Sequence, residues 1–351
     1  MNIKAKSKKI TINDMARICG VSTGAINRAL HNKSDINPKT KEKILETIKK
    51  YNYRPNYYAR ALASGKSNTI GIIVPDIENE FFAMTYSIIE KRCWENDYYV
   101  SLVLSRDNPE RELRNVKLFI EQRLDGIIMF PVSHDNKSVR LALSSGIDTI
   151  LIFNSLPKEN LSSVVVHDYN AMCKNVQYLI NLGHKDIAYI DGYRKYSPTY
   201  NDHINKERYR AFRETLQKNN IQIDKNNYFE FKPKYYKSND YSIVKSIVDS
   251  TKKITAIVCF HDRIALWVMQ WLEKIGVKVP NSISVTGFDD INELKYIKPR
   301  LTTSAIPVDK IAEKAISILM NSIKGKRNKV QKIIFPVKFI EGETCMPPKG
   351  N

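Results

Sequence analysis

The sequence is poor in cysteine, and its cysteines are not spaced as metal ligands or redox pairs. Five occur among 351 residues, and no two of them form a C-x-x-C pair. An odd, scattered set argues against a disulfide scaffold, a zinc ribbon or an iron–sulfur site and favours reduced thiols in a cytoplasmic protein. Apolar runs stay well below the roughly 18 residues of a transmembrane helix. The basic N-terminus, MNIKAKSKK, lacks the apolar core of a secretory signal, so we expect no membrane partner.

Sequence motifs of common catalytic and cofactor-binding sites are also missing. No G-x-G-x-x-G follows the first predicted strand, and neither G-x-S-x-G nor H-E-x-x-H occurs. The six histidines are not paired at the spacings that metal sites use. The sequence therefore predicts a protein that is not an enzyme, with no catalytic residue, no cofactor and no metal site.

Acidic residues are scarce at the N-terminal end, where positive charge is concentrated. The chain holds 56 Lys and Arg against 37 Asp and Glu, a formal net charge of +19. Residues 1–68 hold 15 bases and 4 acids, a net +11, so the remaining 283 residues carry +8. A length of 351 residues fits two or three domains. The uneven charge favours a small nucleic-acid-binding domain followed by a larger one.

Residues 11–51 are predicted to form three short helices. Thr11 fits the first residue of a capping box, and Gly20 fits the turn that ends the first helix. The second helix begins at Ser22 and the third at Asn37. A helix, a tight turn and a second helix are typical of the helix-turn-helix unit, whose second helix enters the major groove of DNA. A three-helix bundle with a solvated basic face is the alternative.

The N-terminal end of the second helix carries the positions that can face bases. These positions are Thr23, Gly24, Asn27 and Arg28. Arg28 can bond a guanine through two hydrogen bonds, and Asn27 can reach a base or a phosphate. Gly24 offers no side chain for a base contact and costs about 1 kcal/mol in a helix relative to alanine.

Two longer runs, TINDMARICGVSTGAINRAL and YNYRPNYYARALASGKSNTIGIIVPD, resemble the LacI/GalR family of bacterial transcriptional regulators. The resemblance continues to about residue 345. It implies that Asn56 caps a short hinge helix, roughly 56–63. It also implies that Leu62 enters the minor groove at the operator centre, where an apolar wedge unstacks one base step and kinks the duplex.

The residues expected to bind DNA come from the helix-turn-helix unit and the hinge. Two hydroxyls of the family pattern are replaced in the second helix, by Ala25 and Asn27. The phosphate contacts must therefore be distributed differently, and a relative's operator cannot be transferred to this chain. The expected DNA-binding set is Thr11, Ser22, Thr23, Gly24, Asn27, Arg28, Asn37, Tyr53, Asn56, Arg60 and Leu62.

From residue 69 onward, strand-like apolar runs alternate with amphipathic helical stretches. The pattern predicts an α/β fold with parallel sheets covered by helices, and its two series predict two doubly wound lobes. The resemblance implies a type I periplasmic-binding-protein-like body whose chain crosses between lobes near residues 168, 300 and 330. The expected domains are a helix-turn-helix DNA-binding domain (1–55), a hinge helix and linker (56–68), an N-terminal lobe (69–168 plus 301–330) and a C-terminal lobe (169–300 plus 331–351).

A ligand site is expected between the lobes, near the carboxyl ends of the strands. The resemblance implies that an aromatic pair, a guanidinium group and several polar side chains face a small effector there. For Phe81 and Phe82 the alternative is a place in the core, and for Arg208 and Asp289 it is a structural ion pair. The expected effector-binding set is Phe81, Phe82, Asn154, Arg208, Tyr235, His261 and Asp289.

Together these features predict a sequence-specific DNA-binding transcriptional regulator, a repressor. A homodimer would bind a pseudo-palindromic double-stranded operator, and a small effector, a sugar or sugar derivative, would control its affinity. One alternative is a catabolite-control regulator with a phosphoprotein corepressor. Two others are a sugar-binding protein without a DNA role, which would need a signal peptide, and a doubly wound enzyme, which would need a catalytic motif.

Overall fold

The computed structural model divides the chain into two compact units. One is Met1–Ser67, here called the head, and the other is Asn68–Asn351, here called the body. No helix among the described residues has the length and apolar character that crossing a membrane requires. The structure describes residues 10–30, 32, 35–55, 61, 65–132, 136–156, 159–192, 203–223, 227–232, 240–250, 253–326 and 329–349.

The head contains three short helices, as predicted. They are α1 (Ile12–Cys19), α2 (Thr23–Leu30) and α3 (Pro38–Lys50). The capping box at Thr11 is present, because its hydroxyl accepts from the Asp14 amide while the Asp14 carboxylate accepts from the Thr11 amide. Gly20 ends α1 at a φ of 71°, a conformation that glycine adopts without steric cost.

A small apolar core holds the three helices of the head together. Met15, Ile26 and Ile44, one from each helix, have no exposed surface. They pack in one cluster with Tyr53, which is 7% exposed. Because each helix contributes a fully buried side chain to a close-packed interior, no helix can shift without opening that core.

The larger sheet of the body forms what is called here the first lobe. Its strands are β1 (Thr69–Val74), β2 (Tyr99–Leu104), β3 (Gly126–Met129), β4 (Asp148–Ile152), β5 (Ser163–Val166) and β11 (Lys332–Phe335). Their order is β11-β5-β4-β3-β1-β2, and every neighbouring pair is parallel. The central strand β1 is buried at every position, as expected for a parallel sheet with helices on both faces.

The second lobe is built around a smaller parallel sheet. Its strands are β6 (Ile187–Asp191), β7 (Tyr228–Glu230), β8 (Ala256–Cys259) and β9 (Ser284–Thr286). Their order is β7-β6-β8-β9. Two further strands pair antiparallel with each other, namely β10 (Thr303–Ala305) and β12 (Lys338–Ile340).

Helices separate the strands, so the predicted α/β fold with parallel sheets is confirmed. The helices of the body are α4 (Glu80–Trp94), α5 (Pro109–Glu121), α6 (Lys137–Ser145), α7 (Asp168–Asn181), α8 (His203–Lys218), α9 (Ser242–Val248), α10 (Asp262–Lys274) and α11 (Val308–Ile323), with a 3₁₀ helix at Asn292–Tyr296. The first turns of α4 and α5 are capped by Asn79 and Asn108, whose side chains accept backbone hydrogen bonds.

The chain leaves the first lobe later than the sequence predicted. Strand β11 pairs in parallel with β5 along its whole length, so residues 332–335 belong to the first lobe. This placement corrects the expected boundary, which assigned 331–351 to the C-terminal lobe. The physical reason is that β5 offers an unpaired edge whose backbone groups need partners. The chain crosses to its antiparallel pairing with β10 only between β11 and β12.

Candidate functional site

Helix α2 presents the predicted base-contacting side chains at the surface of the head. Thr23 is exposed, and Asn27 and Arg28 are half-buried. The Ser22 hydroxyl accepts a hydrogen bond from the Ala25 amide at 3.2 Å, which satisfies one donor of the first turn. A helix N-terminus carries partial positive charge, so this end of α2 suits contact with a polyanion.

Arg28 lies beside an acidic side chain without being tightly bound to it. Its Nε is 4.0 Å from a carboxylate oxygen of Asp35, and the side chains of Arg28 and Asp35 are 42% and 70% exposed, respectively. Such exposed pairs contribute about 0–1 kcal/mol, so Arg28 can exchange Asp35 for a base at little cost. A Cβ at Gly24 would lie 3.5 Å from Nη1 of Arg28, and its absence leaves that side of the guanidinium group open.

Three further members of the expected DNA-binding set have structural roles in the head. Thr11 belongs to the capping box, and the Asn37 side chain accepts from the amides at the start of α3. The ring of Tyr53 packs in the head core, where burial raises its pKa, so Tyr53 has a packing role, and its expected DNA contact stays a prediction. Three expected residues lie outside the described ranges: Asn56, Arg60 and Leu62.

A cavity of about 610 Å³ lies between the two lobes of the body. Its volume falls in the range of small-molecule sites, and it lies at the carboxyl ends of the strands, where ligands of open α/β sheets bind. Residues of both lobes line it. Five of the expected effector-binding residues are among them, namely Phe81, Phe82, Arg208, His261 and Asp289.

Four phenylalanine rings form one side of this cavity, called here the apolar wall: Phe81, Phe82, Phe130 and Phe153. Phe81 lies 4.9 Å from Phe153 between ring centroids, and Phe82 lies 5.2 Å from Phe130, both in edge-to-face geometry. The packing holds each ring in place, and the wall offers an apolar surface against which the C–H face of a ligand can pack.

The opposite side, called here the polar wall, is centred on Arg208 of α8. Its Nε donates to Asp168 at 2.8 Å and its Nη1 donates to the Phe260 carbonyl at 2.7 Å. Nη2 lies 3.7 Å from Asp289, and the guanidinium carbon lies 3.6 Å from the centroid of the Phe288 ring. Arg208 is thus both a structural ion pair and part of the cavity surface.

Burial sets the protonation behaviour of the polar wall. Removal from water raises the pKa of both Asp168 and Asp289, and the neighbouring Arg208 opposes that rise. The guanidinium group therefore offsets part of the burial cost of both carboxylates, and the net shift of each pKa is still upward. Across the residues that the structure describes, no group of three or more His, Cys, Asp or Glu side chains could hold a metal ion.

His261 is neutral and oriented. Its Nδ1 accepts from the Ile264 amide at 3.2 Å and caps α10, so the proton is assigned to Nε2. Burial, with the positive charges of Arg208 and Arg263, lowers its pKa to about 3. The next residue, Asp262, does not cap this helix; its carboxylate accepts from the Thr303 hydroxyl and a backbone amide.

Asn154 does not line the cavity, which corrects one expected effector contact. Its side chain is buried and donates to the Pro131 carbonyl at 3.4 Å. The cause is Phe153, whose φ of 59° breaks the alternation of β4 and places its ring in the same core as Ile152. The aromatic ring thus occupies the position expected for the amide. Tyr235, also in the expected set, lies outside the described residues.

Sequence reasoning missed four cavity residues that a stricter rule would have found. Phe130, Phe153 and Phe260 each follow directly after a strand of a parallel sheet, where site residues collect. Asn205 precedes Arg208 by three positions on α8. Side chains at that spacing share one helix face, so the position of Arg208 already indicated Asn205.

Comparison with known proteins supports this architecture. Residues 11–56 match the model of the bacterial regulatory proteins of the lacI family, and residues 176–345 match that of a periplasmic binding protein-like domain. A probable HTH-type transcriptional repressor, ExuR of Bacillus subtilis (strain 168), is 30% identical over 336 residues, which cover 94% of this chain and 97% of that protein.

Solved structures show the same fold. The lac repressor dimer bound to operator and the anti-inducer ONPF matches with a TM-score of 0.81 at 21% identity, over 97% of this chain and 100% of that one. A regulator from Alkaliphilus metalliredigens QYMF, complexed with D-xylulofuranose, matches with a TM-score of 0.69 at 27% identity, over 80% of this chain and 99% of that one. The predicted family is confirmed: this chain belongs to the lacI family of bacterial regulatory proteins, and it is a DNA-binding transcriptional regulator.

Proposed function

We propose that this regulator represses transcription as a homodimer bound to a pseudo-palindromic operator, and that a small carbohydrate in the cavity of the body controls the affinity for DNA. The observation that carries the proposal is one chain holding both a helix-turn-helix head and a two-lobed body with a partly polar cavity. Two heads related by a two-fold axis match two half-sites of an operator.

The chemistry of the cavity supports a carbohydrate. Sugars present an apolar C–H face and several hydroxyl groups, which match the apolar wall and the polar wall respectively. The 27% identical regulator from Alkaliphilus metalliredigens is complexed with D-xylulofuranose. The residues proposed to contact the effector are Phe81, Phe82, Arg208, His261 and Asp289.

The proposed coupling runs through the hinge. A ligand that contacts both lobes changes the population of their relative orientations, and it shifts DNA affinity only if it binds one orientation more tightly. By the family resemblance, Asn56 and Arg60 belong to the hinge, whose arrangement changes with the orientation of the lobes. Leu62 is the hinge residue that wedges into the minor groove. The direction of control, induction or corepression, is an outcome of the test below.

A two-step binding experiment tests the proposal. Selection from a random DNA library with the purified full chain should yield a site with two inverted half-sites. Fluorescence anisotropy on that site, with and without a panel of neutral sugars at millimolar concentration, should show at least one sugar that changes the affinity about tenfold, within the usual range of coupling free energies. A selected site without inverted symmetry, or an operator affinity that no sugar changes, would contradict the proposal.

Removing the Arg28 side chain tests the recognition face directly. Arg28→Ala should weaken binding to the selected operator by about 1–3 kcal/mol, the value of one good bidentate base contact, and should weaken nonspecific DNA binding much less. The matched control is Arg17→Ala, which removes the same charge from α1, where Arg17 is exposed and paired with Asp14. Equal losses for specific and nonspecific DNA in Arg28→Ala would show that Arg28 contacts phosphate and not a base.

A further inference from the structure

The carboxylate of Asp289 is buried against the cavity without a hydrogen bond from the described residues. Asp289 is 6% exposed, and its nearest cation, Nη2 of Arg208, lies 3.7 Å away, beyond hydrogen-bond distance. Its backbone holds a φ of 117°, fixed by bonds to Ser304 and Ile306. A buried carboxylate without hydrogen-bond donors is costly in free energy. A ligand that donates a hydrogen bond to it therefore gains more binding free energy than it would from an acceptor that water already solvates.

Asn205 supplies a second acceptor at the same wall. Its amide nitrogen donates to Asp191 and to the Gly192 carbonyl, both at 3.3 Å. Those two bonds fix the amide orientation and leave the side-chain oxygen without a donor among the described residues. Asn205 is 6% exposed and lines the cavity. The oxygen is therefore available to accept from a ligand, and a ligand hydroxyl or N–H meets that need.

The charges of the polar wall disfavour a negatively charged ligand. Arg208 is the guanidinium group at its centre, and two carboxylates, Asp168 and Asp289, already share it. The other lining arginines lie beside acids as well, Arg106 beside Asp76 and Arg263 beside Glu80. A carboxylate or phosphate on the ligand would enter a poorly solvated site whose central guanidinium group two acids already share, and a carboxylate could donate no hydrogen bond to Asp289.

We infer that the effector is an uncharged, hydroxyl-rich sugar and that the cavity rejects sugar acids and sugar phosphates, with Asp289 and Asn205 as the acceptors that impose this choice. The inference rests on the proposed function, since it names the class of carbohydrate that the same cavity binds. The apolar wall adds to it, because a charged substituent that turned away from Asp289 would meet phenylalanine rings.

Paired probes test the inference by isothermal titration of the full chain. Each pair compares a neutral sugar with its anionic counterpart: D-glucose with D-glucuronate, D-galactose with D-galacturonate, and D-ribose with D-ribose 5-phosphate. The neutral member of a binding pair should bind more tightly by about tenfold or more. An anionic member that binds as tightly as its neutral partner would overturn the inference and leave the proposed function intact. Failure of every probe to bind would instead overturn the proposed carbohydrate control itself.

A charge-neutral variant gives an independent readout. Asp289→Asn keeps the size of the side chain, removes the negative charge and adds a donor. The preference for the neutral member of a pair should fall about tenfold or more, whatever happens to the absolute affinity. The matched control is Asp309→Asn, at an exposed position in the first turn of α11 that does not line the cavity, and it should leave the preference unchanged. An unchanged preference in Asp289→Asn would overturn the role of this carboxylate.

Discussion

Replacing Arg208 with alanine is expected to lower the free energy of unfolding of the body by about 3–5 kcal/mol, the usual cost of removing one partner from a buried ion pair. Arg208 is 4% exposed, and its loss leaves Asp168 and Asp289 buried without their cation. The same substitution removes the centre of the polar wall, so the effector response should be lost. Urea unfolding followed by tryptophan fluorescence measures the first effect, and operator anisotropy with a responsive sugar measures the second.

A neighbouring arginine on the same helix provides the control. Arg210 is exposed and pairs with Glu207 at the surface, so Arg210→Ala should cost about 0–1 kcal/mol. Because the head is a separate compact unit, the Arg208→Ala variant should still bind the operator. Adding Asp168→Asn and Asp289→Asn to Arg208→Ala should restore part of the lost stability, since no buried charge is then unpaired. A loss no larger than that of Arg210→Ala would contradict this account.

The instability of Arg208→Ala should depend on pH. Burial already raises the pKa of Asp168 and Asp289, and Arg208 is the group that holds each pKa down. Without it both pKa values rise further, and the folded state binds protons that the unfolded state, near its ordinary value of 3.8, has released. Stability contributed in this way is present at low pH and is lost as pH rises through the folded pKa. The deficit relative to the wild type should therefore be largest near pH 7 and shrink toward pH 4.

Much of the fold was predictable because buried parallel strands are continuous apolar runs. TIGIIV and SVVV are apolar after their first residue, which predicts strands of a sheet covered on both faces. They form β1 and β5 of the larger sheet. The short strand KIIF carries no signal of which sheet it joins. It pairs with β5 because that strand has a free edge, which depends on the tertiary structure and not on the local sequence. That is why the fold class could be predicted while the boundary near residue 330 could not.

The cavity shows the same division between local pattern and backbone geometry. Family motifs placed Phe81, Arg208 and Asp289 at one site, and the structure brings these three to the same cavity. Asn154 was misplaced because pattern reasoning assumes that a strand alternates to its end. The φ of 59° at Phe153 ends that alternation one residue early. A positive φ at a non-glycine residue cannot be predicted from the sequence.

Replacing Ile26 with alanine is expected to weaken operator binding strongly by unfolding the head. Ile26 has no exposed surface and lies where the three helices meet. Truncation of a buried isoleucine costs about 2–5 kcal/mol, and the core of a domain this small rarely supplies more than about 3–5 kcal/mol. The variant head should therefore be largely unfolded at 37 °C. Anisotropy on the selected operator should show specific affinity lower by about tenfold or more, the factor that each 1.4 kcal/mol represents.

The stability of the body should not change in Ile26→Ala, because the body is a separate compact unit with its own core. Calorimetry of the full chain should show the transition of the body at an unaltered temperature and the transition of the head displaced or absent. Ile18→Ala is the matched control, since Ile18 lies on α1 of the same head but is 43% exposed and its truncation removes little buried surface. If Ile26→Ala binds the operator as well as Ile18→Ala does, then the DNA-binding form of the head does not depend on this core. The positions of Thr23, Asn27 and Arg28 on α2 could then no longer be attributed to the packing of three helices around Ile26.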